Sequence, residues 1–335
     1  MSVKFIAIGD PHFLTNNYSE CELFIEQMET LVQSIQPNFV VVLGDLLHTH
    51  EAIHTLVLKK ATQFLFALAE HCKTYLIIGN HDYINNSQYM TDNHPFNSFK
   101  KTPNITICDK AIVKTIKGLK FVFCPYVIPG RFVEALNTLK GWKNAACIFA
   151  HQDFNEFSTA DQWEKDYPLI VSGHIHAQKW AQKNIYYPGN TIQNQFDDGG
   201  DNDKIVAEFT FETKAKYTLV KHLVNLPKKR VIHSEISKLT ISKNLNKDTK
   251  IVLNGNSQDI KKFKQSKKYK TLCERGVKIA FEMETEGGNI GGQKTIMQIL
   301  GELVKKRNDN YLNDAFNKIT GTGDITGDIT GDIPR

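Results

Sequence analysis

The sequence lacks three features that mark secreted or membrane-bound proteins. It has no run of about 18 apolar residues, so no transmembrane helix is predicted. The first predicted strand begins at Val3, which leaves no room for a charged and then apolar secretory leader. The six cysteines include no Cys-x-x-Cys pair, which argues against zinc and disulfide frameworks. These absences predict a cytoplasmic protein with reduced cysteines and no membrane association.

What is present is the pattern of a large globular chain. The sequence has 335 residues, of which 41% are hydrophobic, enough for an extensive core and more than one domain. Helical periodicity over about 20–35 and 52–71 separates short apolar, β-branched segments that are typical of buried strands. The five clearest of these segments are 3–8, 39–43, 74–78, 145–149 and 169–172. The alternation predicts an α/β (α+β) fold, and strand patterns near 105–125 and 184–224 predict a second sheet.

Each of these five predicted strands is followed by residue types that bind metal ions. The segments are Gly9-Asp10-Pro11-His12, Gly44-Asp45-Leu46-Leu47-His48, Gly79-Asn80-His81-Asp82, Ala150-His151 and Gly173-His174-Ile175-His176. Ligands bind at the carboxyl ends of strands in open α/β sheets, so five such ends predict a single site built from distant parts of the chain.

A pair of divalent ions explains these residue types. Two ions can bind a phosphoryl group between them, stabilise its developing charge and activate water as the nucleophile. We assign one ion to Asp10, His12 and His176, the other to Asn80, His151 and His174, and the bridge to Asp45. Oxygen and imidazole ligands without thiolate favour two Mn²⁺, with Fe²⁺ and Mg²⁺ as alternatives.

In order, these motifs resemble those of calcineurin-like metallophosphoesterases. His48 in the second motif makes the chain similar to the SbcD-type nuclease subunit of the double-strand-break repair complex, including its smaller phage relatives. The resemblance implies a two-sheet αββα sandwich, with His81 as a catalytic acid and His48 positioning the substrate. One departure is Pro188-Gly189-Asn190, where the family usually has Pro-Gly-Ser.

A basic block follows the last of these motifs. Residues 214–278 carry 18 Lys and Arg against 4 Asp and Glu, in a chain whose net charge is only +5. Such a block beside a phosphodiesterase site is typical of a surface that binds the nucleic-acid backbone. The residues predicted to bind DNA are Lys228, Lys229, Arg230, Lys261, Lys262, Lys264, Lys267 and Lys268. The alternative is a lysine-rich surface that is simply solvated.

Four regions are predicted along the chain. Residues 1–226 form the metallophosphoesterase nuclease domain, and 227–286, with a helix over about 257–271, resemble the basic capping domain of SbcD-type nucleases. Residues 287–320 combine a glycine linker with short helices over 295–306 and 311–319. The resemblance implies that these helices bind a coiled-coil ATPase, although they could instead dock on their own chain. Residues 321–335 repeat Gly-Asp-Ile-Thr and are expected to be disordered.

The sequence therefore predicts an Mn²⁺-dependent DNA exonuclease and endonuclease that acts in repair, recombination or replication. It is expected to work as a homodimer with an SbcC-like coiled-coil ATPase subunit. Two alternatives stay open: a small-molecule or cyclic-nucleotide phosphodiesterase of the same superfamily, and a non-catalytic DNA-binding scaffold. A phosphoprotein phosphatase is disfavoured because Gly-Asp-x-x-Asp-Arg-Gly and Gly-Asn-His-Glu are both missing.

Overall fold

The computed structural model describes residues 2–50, 52–154, 161–196 and 203–283, together with residues 300, 303, 304, 307, 312 and 316. The chain divides into two compact units, Met1–Glu282 and Met283–Arg335. In the second unit, the described positions after Met283 are all helical. Most of the helices predicted over 295–306 and 311–319, and the whole repeat tail, lie outside the described residues.

The first unit contains two six-stranded sheets. The first sheet has the order β12-β11-β1-β2-β3-β4. Its strands are β1 (Val3–Ile8), β2 (Phe39–Val42), β3 (Lys73–Ile77), β4 (Ile105–Cys108), β11 (Ile205–Thr213) and β12 (Lys216–Leu223). β1 to β4 run parallel to one another, and β11 and β12 are added antiparallel.

The second sheet has the order β5-β6-β7-β8-β10-β9. Its strands are β5 (Ile112–Ile116), β6 (Leu119–Phe123), β7 (Cys147–His151), β8 (Leu169–Gly173), β9 (Lys179–Gln182) and β10 (Ile185–Tyr187). β6, β7, β8 and β10 are parallel neighbours, whereas β5 and β9 lie antiparallel at the two edges.

The central strands of both sheets are apolar on both faces because they are covered on both sides, whereas β5, β9 and β12 are largely exposed. In β1, Phe5 and Ala7 pack between the sheets, while Ile6 and Ile8 face the helices α1 (Tyr18–Ile35) and α2 (Thr55–His71). Successive strand residues point to opposite faces, so a two-sided core requires a continuous apolar run. The outer face of the second sheet packs against α3 (Phe132–Asn137). This arrangement confirms the predicted sandwich of two sheets flanked by helices.

Residues 230–283, here called the third-sheet region, have a small core of their own. Three strands, β13 (Arg230–Glu235), β14 (Thr249–Gly255) and β15 (Lys278–Met283), form a sheet in that order. Two helices, α4 (Ser257–Gln265) and α5 (Lys267–Glu274), pack on it through Phe263 and Leu272. The sequence predicted one helix over about 257–271, and this was wrong at Ser266. There the backbone turns extended, and the side chain caps a new helix by accepting from the Tyr269 amide.

Among the described residues, no helix is both long and apolar enough to cross a membrane. The boundary between residues 226 and 227 stays a prediction.

Candidate metal centre

The predicted ligands come together at the carboxyl ends of β1, β2, β3, β7 and β8. Four of these side chains leave the backbone from left-handed conformations, which residues other than glycine rarely adopt: Asp10 (φ 39°), His12 (φ 46°), Asp45 (φ 49°) and His174 (φ 79°). Such strain persists only where surrounding contacts hold it, and it concentrates at functional sites. Here the contacts are hydrogen bonds from the His12 amide to the Asp45 carbonyl (2.9 Å) and from the His174 amide to the Asp10 carboxylate (2.8 Å).

One group of ligand atoms converges on the second sheet's side. The Asn80 Oδ1 atom lies 3.0 Å from His151 Nε2 and 3.0 Å from His174 Nδ1. The other ring nitrogen of His151 donates to the Leu43 carbonyl at 2.7 Å, so Nε2 is the nitrogen that faces the site. This is the arrangement in which a backbone carbonyl fixes the tautomer of a metal-binding histidine. These three residues are the set assigned to one ion from the sequence.

A second group converges beside it. His12 Nε2 and His176 Nε2 lie 3.0 Å apart, and Asp10 offers a carboxylate oxygen within 4.8 Å of both rings. The Asp10 Oδ2 atom is fully buried and accepts no hydrogen bond. A buried carboxylate oxygen without a donor is costly unless a cation satisfies it. These residues are the set assigned to the other ion.

Asp45 lies between the two groups. Its Oδ2 atom is 3.3 Å from His151 Nε2 and 3.6 Å from His12 Nε2, while Oδ1 accepts from the His81 amide at 2.8 Å. One oxygen therefore faces one ligand of each group, as a bridging carboxylate requires. Glycines make this approach possible. A Cβ on Gly79 would collide with the Asp45 carboxylate, and one on Gly44 would collide with the His151 imidazole.

The carboxylates and imidazoles of the site perturb one another strongly. Burial, opposed by the charge of His151 and reinforced by that of Asp45, raises the pKa of Asp10 to about 6. Burial also disfavours the Asp45 anion, but His151 and His12 outweigh it and hold the Asp45 pKa well below its usual range. In this packed cluster Asp45 is therefore the carboxylate that stays ionised most readily.

The pKa values of the imidazoles also shift in opposite directions. Burial lowers the pKa of His12 to about 3 and that of His174 to about 4, which keeps both rings neutral and able to bind a cation. Burial also opposes the charged form of His151, but the Asp45 carboxylate raises its pKa to about 9. A divalent cation between them would take over the role of that imidazolium proton. Buried oxygens and neutral imidazoles that converge in this way fit two divalent cations.

Three imidazoles form a stack at the edge of the centre. The ring of His81 lies between those of His48 (centroids 5.2 Å apart, planes 12°) and His50 (4.7 Å, 18°). His81 Nδ1 donates to the His48 carbonyl at 2.7 Å, so its Nε2 is the nitrogen available for substrate. His12, His48 and His81 also form a group close enough to hold a metal ion.

His50 was not among the site residues predicted from the sequence. Its Nδ1 lies 3.2 Å from the Tyr83 carbonyl, and this contact fixes the ring against His81. The available signal was the spacing of His48 and His50, which puts two imidazoles on the loop that follows β2.

Asp82 holds the loops of the centre from behind. It is buried, and its two oxygens accept from the amides of Leu47 and Gly79, each at 3.0 Å. Burial and the Asp45 charge raise the Asp82 pKa to about 7. Asp82 thus ties the loop after β2 to the loop after β3, and these loops carry Asp45 and Asn80.

The residues predicted to bind DNA lie in two places. Five of the six lysines of the α4–α5 pair belong to the predicted set, and all five are exposed: Lys261, Lys262, Lys264, Lys267 and Lys268. Lys228, Lys229 and Arg230 lead into β13 and are engaged with other groups. Lys228 pairs with Asp203, Lys229 donates to the Gln193 carbonyl at 2.6 Å, and Arg230 donates to the Asn244 carbonyl at 2.8 Å.

Two lysines that sequence reasoning missed line a cavity next to a residue that contacts the metal centre. Lys250 on β14 and Lys278 on β15 line a cavity of about 440 Å³ together with Asn194 and Phe196. Asn194 in turn donates to the His12 carbonyl at 3.3 Å. Both lysines belong to the basic block, but they lie on separate strands whose side-by-side placement the sequence does not reveal.

Comparison with known proteins places these features in context. Residues 3–199 match the family described as Calcineurin-like phosphoesterase. The chain is 41% identical over 278 residues to the protein named phosphoesterase 244L of Invertebrate iridescent virus 6, covering 79% of this chain and 98% of that protein. It is 34% identical over 341 residues to phosphoesterase 078R of Invertebrate iridescent virus 3, covering 96% and 97%. A solved archaeal phosphodiesterase aligns with a TM-score of 0.35 and 12% identity, over 66% of this chain and 100% of that chain.

Proposed function

Because the chain belongs to the calcineurin-like phosphoesterase family, whose members hydrolyse phosphate esters with divalent metals, we propose that it is an Mn²⁺-dependent DNA nuclease of the SbcD type. The shared carboxylate of Asp45 carries the catalytic part of this proposal, since it faces a ligand of each group at 3.3 and 3.6 Å. When bound, two divalent cations would stabilise charge on the phosphoryl group and lower the pKa of the attacking water.

The chain's own residues have separate tasks in this reaction. Asp10, Asp45 and Asn80 would hold the cations through oxygen, and His12, His151, His174 and His176 would hold them through nitrogen. His81 faces the leaving oxygen through Nε2, because its Nδ1 donates to the His48 carbonyl. To act as the acid, the ring enters the reaction as the imidazolium and gives up its Nε2 proton to the leaving oxygen. His48 and His50 keep the His81 ring in place on its two faces.

Lys250 and Lys278 support a nucleic-acid substrate. Both line a cavity together with Asn194, which donates to the carbonyl of His12. Positive side chains are therefore found in this cavity as well as on the exposed α4–α5 surface. Phosphates on either side of the scissile bond would meet this charge whatever the base sequence. Partnership with an SbcC-like ATPase and assembly as a homodimer belong to the same proposal, and they rest on the His48 motif and the family resemblance.

The test is purified protein with Mn²⁺ or Mg²⁺ on linear duplex, hairpin and single-stranded DNA, alongside a small chromogenic phosphodiester. We expect cleavage of DNA with Mn²⁺ and its loss in Asp45→Asn. Turnover of the small phosphodiester without any DNA binding would favour the small-molecule phosphodiesterase instead. DNA binding without hydrolysis of either substrate would favour the scaffold.

A paired variant sharpens the choice. Lys250→Gln with Lys278→Gln should weaken DNA cleavage but leave hydrolysis of the small phosphodiester intact. Lys114→Gln, on the exposed β5 edge, removes a positive charge elsewhere and is the control. Equal DNA cleavage in both variants would remove this support for a nucleic-acid substrate.

A further inference from the structure

A second cavity lies where the first sheet meets the third-sheet region, and its volume is about 420 Å³. Ligand sites for small molecules typically enclose about 300–1,000 Å³. Its walls come from three places: the loop at Thr191 and Gln193, the connection from Val224 to Lys229, and the turn that carries Asn244, Asn246 and Asp248. No side chain of the metal centre lines it.

The lining is strongly cationic on one side. Lys204, Lys228, Lys229 and Arg230 contribute four positive charges, of which that of Lys228 is paired with Asp203 outside the lining, and Asp248 contributes the single carboxylate of the lining. A guanidinium has five donors, and Arg230 uses Nη2 on the Asn244 carbonyl (2.8 Å) and Nε on the Thr249 hydroxyl (3.4 Å). The remaining donors suit a phosphate, which arginine binds through paired hydrogen bonds.

The rest of the lining differs from that of a site for a simple inorganic anion. Val224, Leu226 and Pro227 form an apolar wall, and Asn244 and Asn246 add amide groups. An apolar wall of this kind offers nothing to inorganic phosphate but matches the sugar and base of a nucleotide. We propose that this junction cavity is a second, non-catalytic site that binds a mononucleotide by its phosphate.

A short series of hydrogen bonds links the lining of this cavity to the loops of the metal centre. Thr191, in its lining, donates from its amide (3.0 Å) and its hydroxyl (3.1 Å) to the Gly9 carbonyl, directly before Asp10. Lys204 donates to the Asn190 side chain at 2.6 Å, and the Asn190 amide contacts the His176 carbonyl at 3.3 Å. The site would therefore hold a phosphomonoester next to the loop that supports Asp10, whether it comes as a free nucleotide or as a strand terminus.

Binding can be measured without catalysis. In calorimetric titrations of the full chain with excess EDTA, we expect dAMP to bind at a single site, and deoxyadenosine not to bind. The buried Asp10 and Asp45 carboxylates would repel a phosphate from the metal centre under these conditions. Arg230→Gln should weaken dAMP binding roughly 10-fold or more, the usual effect of losing a charge-assisted hydrogen bond.

Two further variants distinguish loss of binding from loss of the fold. Lys228 is exposed, so Lys228→Gln should weaken dAMP binding without affecting the fold, and Lys114→Gln should leave the affinity unchanged. Tight binding of a 5′-phosphorylated oligonucleotide together with dAMP would identify a strand terminus as the source, and dAMP alone would identify a free nucleotide. Absence of dAMP binding at millimolar concentration, equal affinity in all variants, or equal affinity for inorganic phosphate would overturn the assignment. Phosphodiesterase activity with Mn²⁺ is a separate readout, so failure here leaves the proposed function standing.

Discussion

The side chains of the metal centre and those of the third-sheet region are held in opposite ways. Asp10, Asp45 and His151 are buried, and a hydrogen bond or a close ionic contact fixes each of them. The lysines of α4 and α5 are exposed on a small sheet with its own core. The first arrangement fixes atoms to within a fraction of an ångström, as metal chemistry needs. The second supplies charge, for which position matters far less.

The contrast between the two regions is tested most severely at Asp45. Asp45→Asn removes the carboxylate placed between the two ligand groups, so mutual repulsion of the cations is less well offset and both should be lost together. Hydrolysis should fall further than in the variants of His81, His50 or the lysines. Metal titration by calorimetry is the measurement, with Asp10→Asn as the matched variant that should weaken mainly one ion. Retention of one tightly bound ion in Asp45→Asn would contradict the bridging role.

His81 tests whether the edge of the centre acts on substrate rather than on metal. His81→Asn removes the Nε2 proton, so cleavage should fall by roughly 10²–10⁴-fold, the span for a positioned acid. Both ions should still bind, because neither ligand group depends on His81. Loss of an ion in this variant would instead assign His81 to the group it forms with His12 and His48.

The imidazole stack predicts a smaller effect at His50. His50→Ala removes one face of the sandwich around His81, and kcat should fall roughly 10–100-fold, as for residues that orient a functional group. His50→Phe keeps a flat ring against His81 and should recover most of the activity. The measurement is hydrolysis of a small chromogenic phosphodiester, with exposed His233→Ala as the control. If His50→Phe were as impaired as His50→Ala, the imidazole itself and not its packing would matter.

The exposed lysines should respond through affinity rather than through chemistry. Changing Lys261, Lys262, Lys264, Lys267 and Lys268 to Gln should weaken DNA binding about equally for all sequences. The slope of log K against log salt should fall by about 0.9 for each duplex phosphate that the variant no longer neutralises. Hydrolysis of the small phosphodiester should not change, since the metal centre does not involve these side chains. An unaltered salt slope would mean that these lysines form only a solvated face.

The sequence predicted the fold class because its central strands are apolar on both faces, and the structure confirms it. It also selected seven side chains that the fold brings together, because Gly-Asp or Gly-His at a strand end is a local signal. The stack around His81 could not be predicted, since it depends on the path of the loop from Asp45 to His50. Lys250 and Lys278 were missed for a similar reason: they become neighbours only through the pairing of strands in the third sheet.

Ser266 shows the same limit of sequence-based prediction within a single predicted helix. Its substitution gives the smallest effect expected here. The lysine-rich sequence around it favours helix throughout, but the Ser266 hydroxyl accepts from the Tyr269 amide at 3.2 Å and starts α5 afresh.

Removing an N-cap costs about 1 kcal/mol, so Ser266→Ala should lower the free energy of unfolding of the third-sheet region by that amount. The measurement is urea unfolding followed by hydrogen exchange, with Ser257→Ala, an exposed serine in the first turn of α4 rather than at its cap, as the control. Metal binding should be identical in both variants, because the ligands are fixed by the two large sheets. If Ser266→Ala were no less stable than Ser257→Ala, α4 and α5 would be one continuous helix in solution, and the spacing of the lysines along it would have to be redrawn.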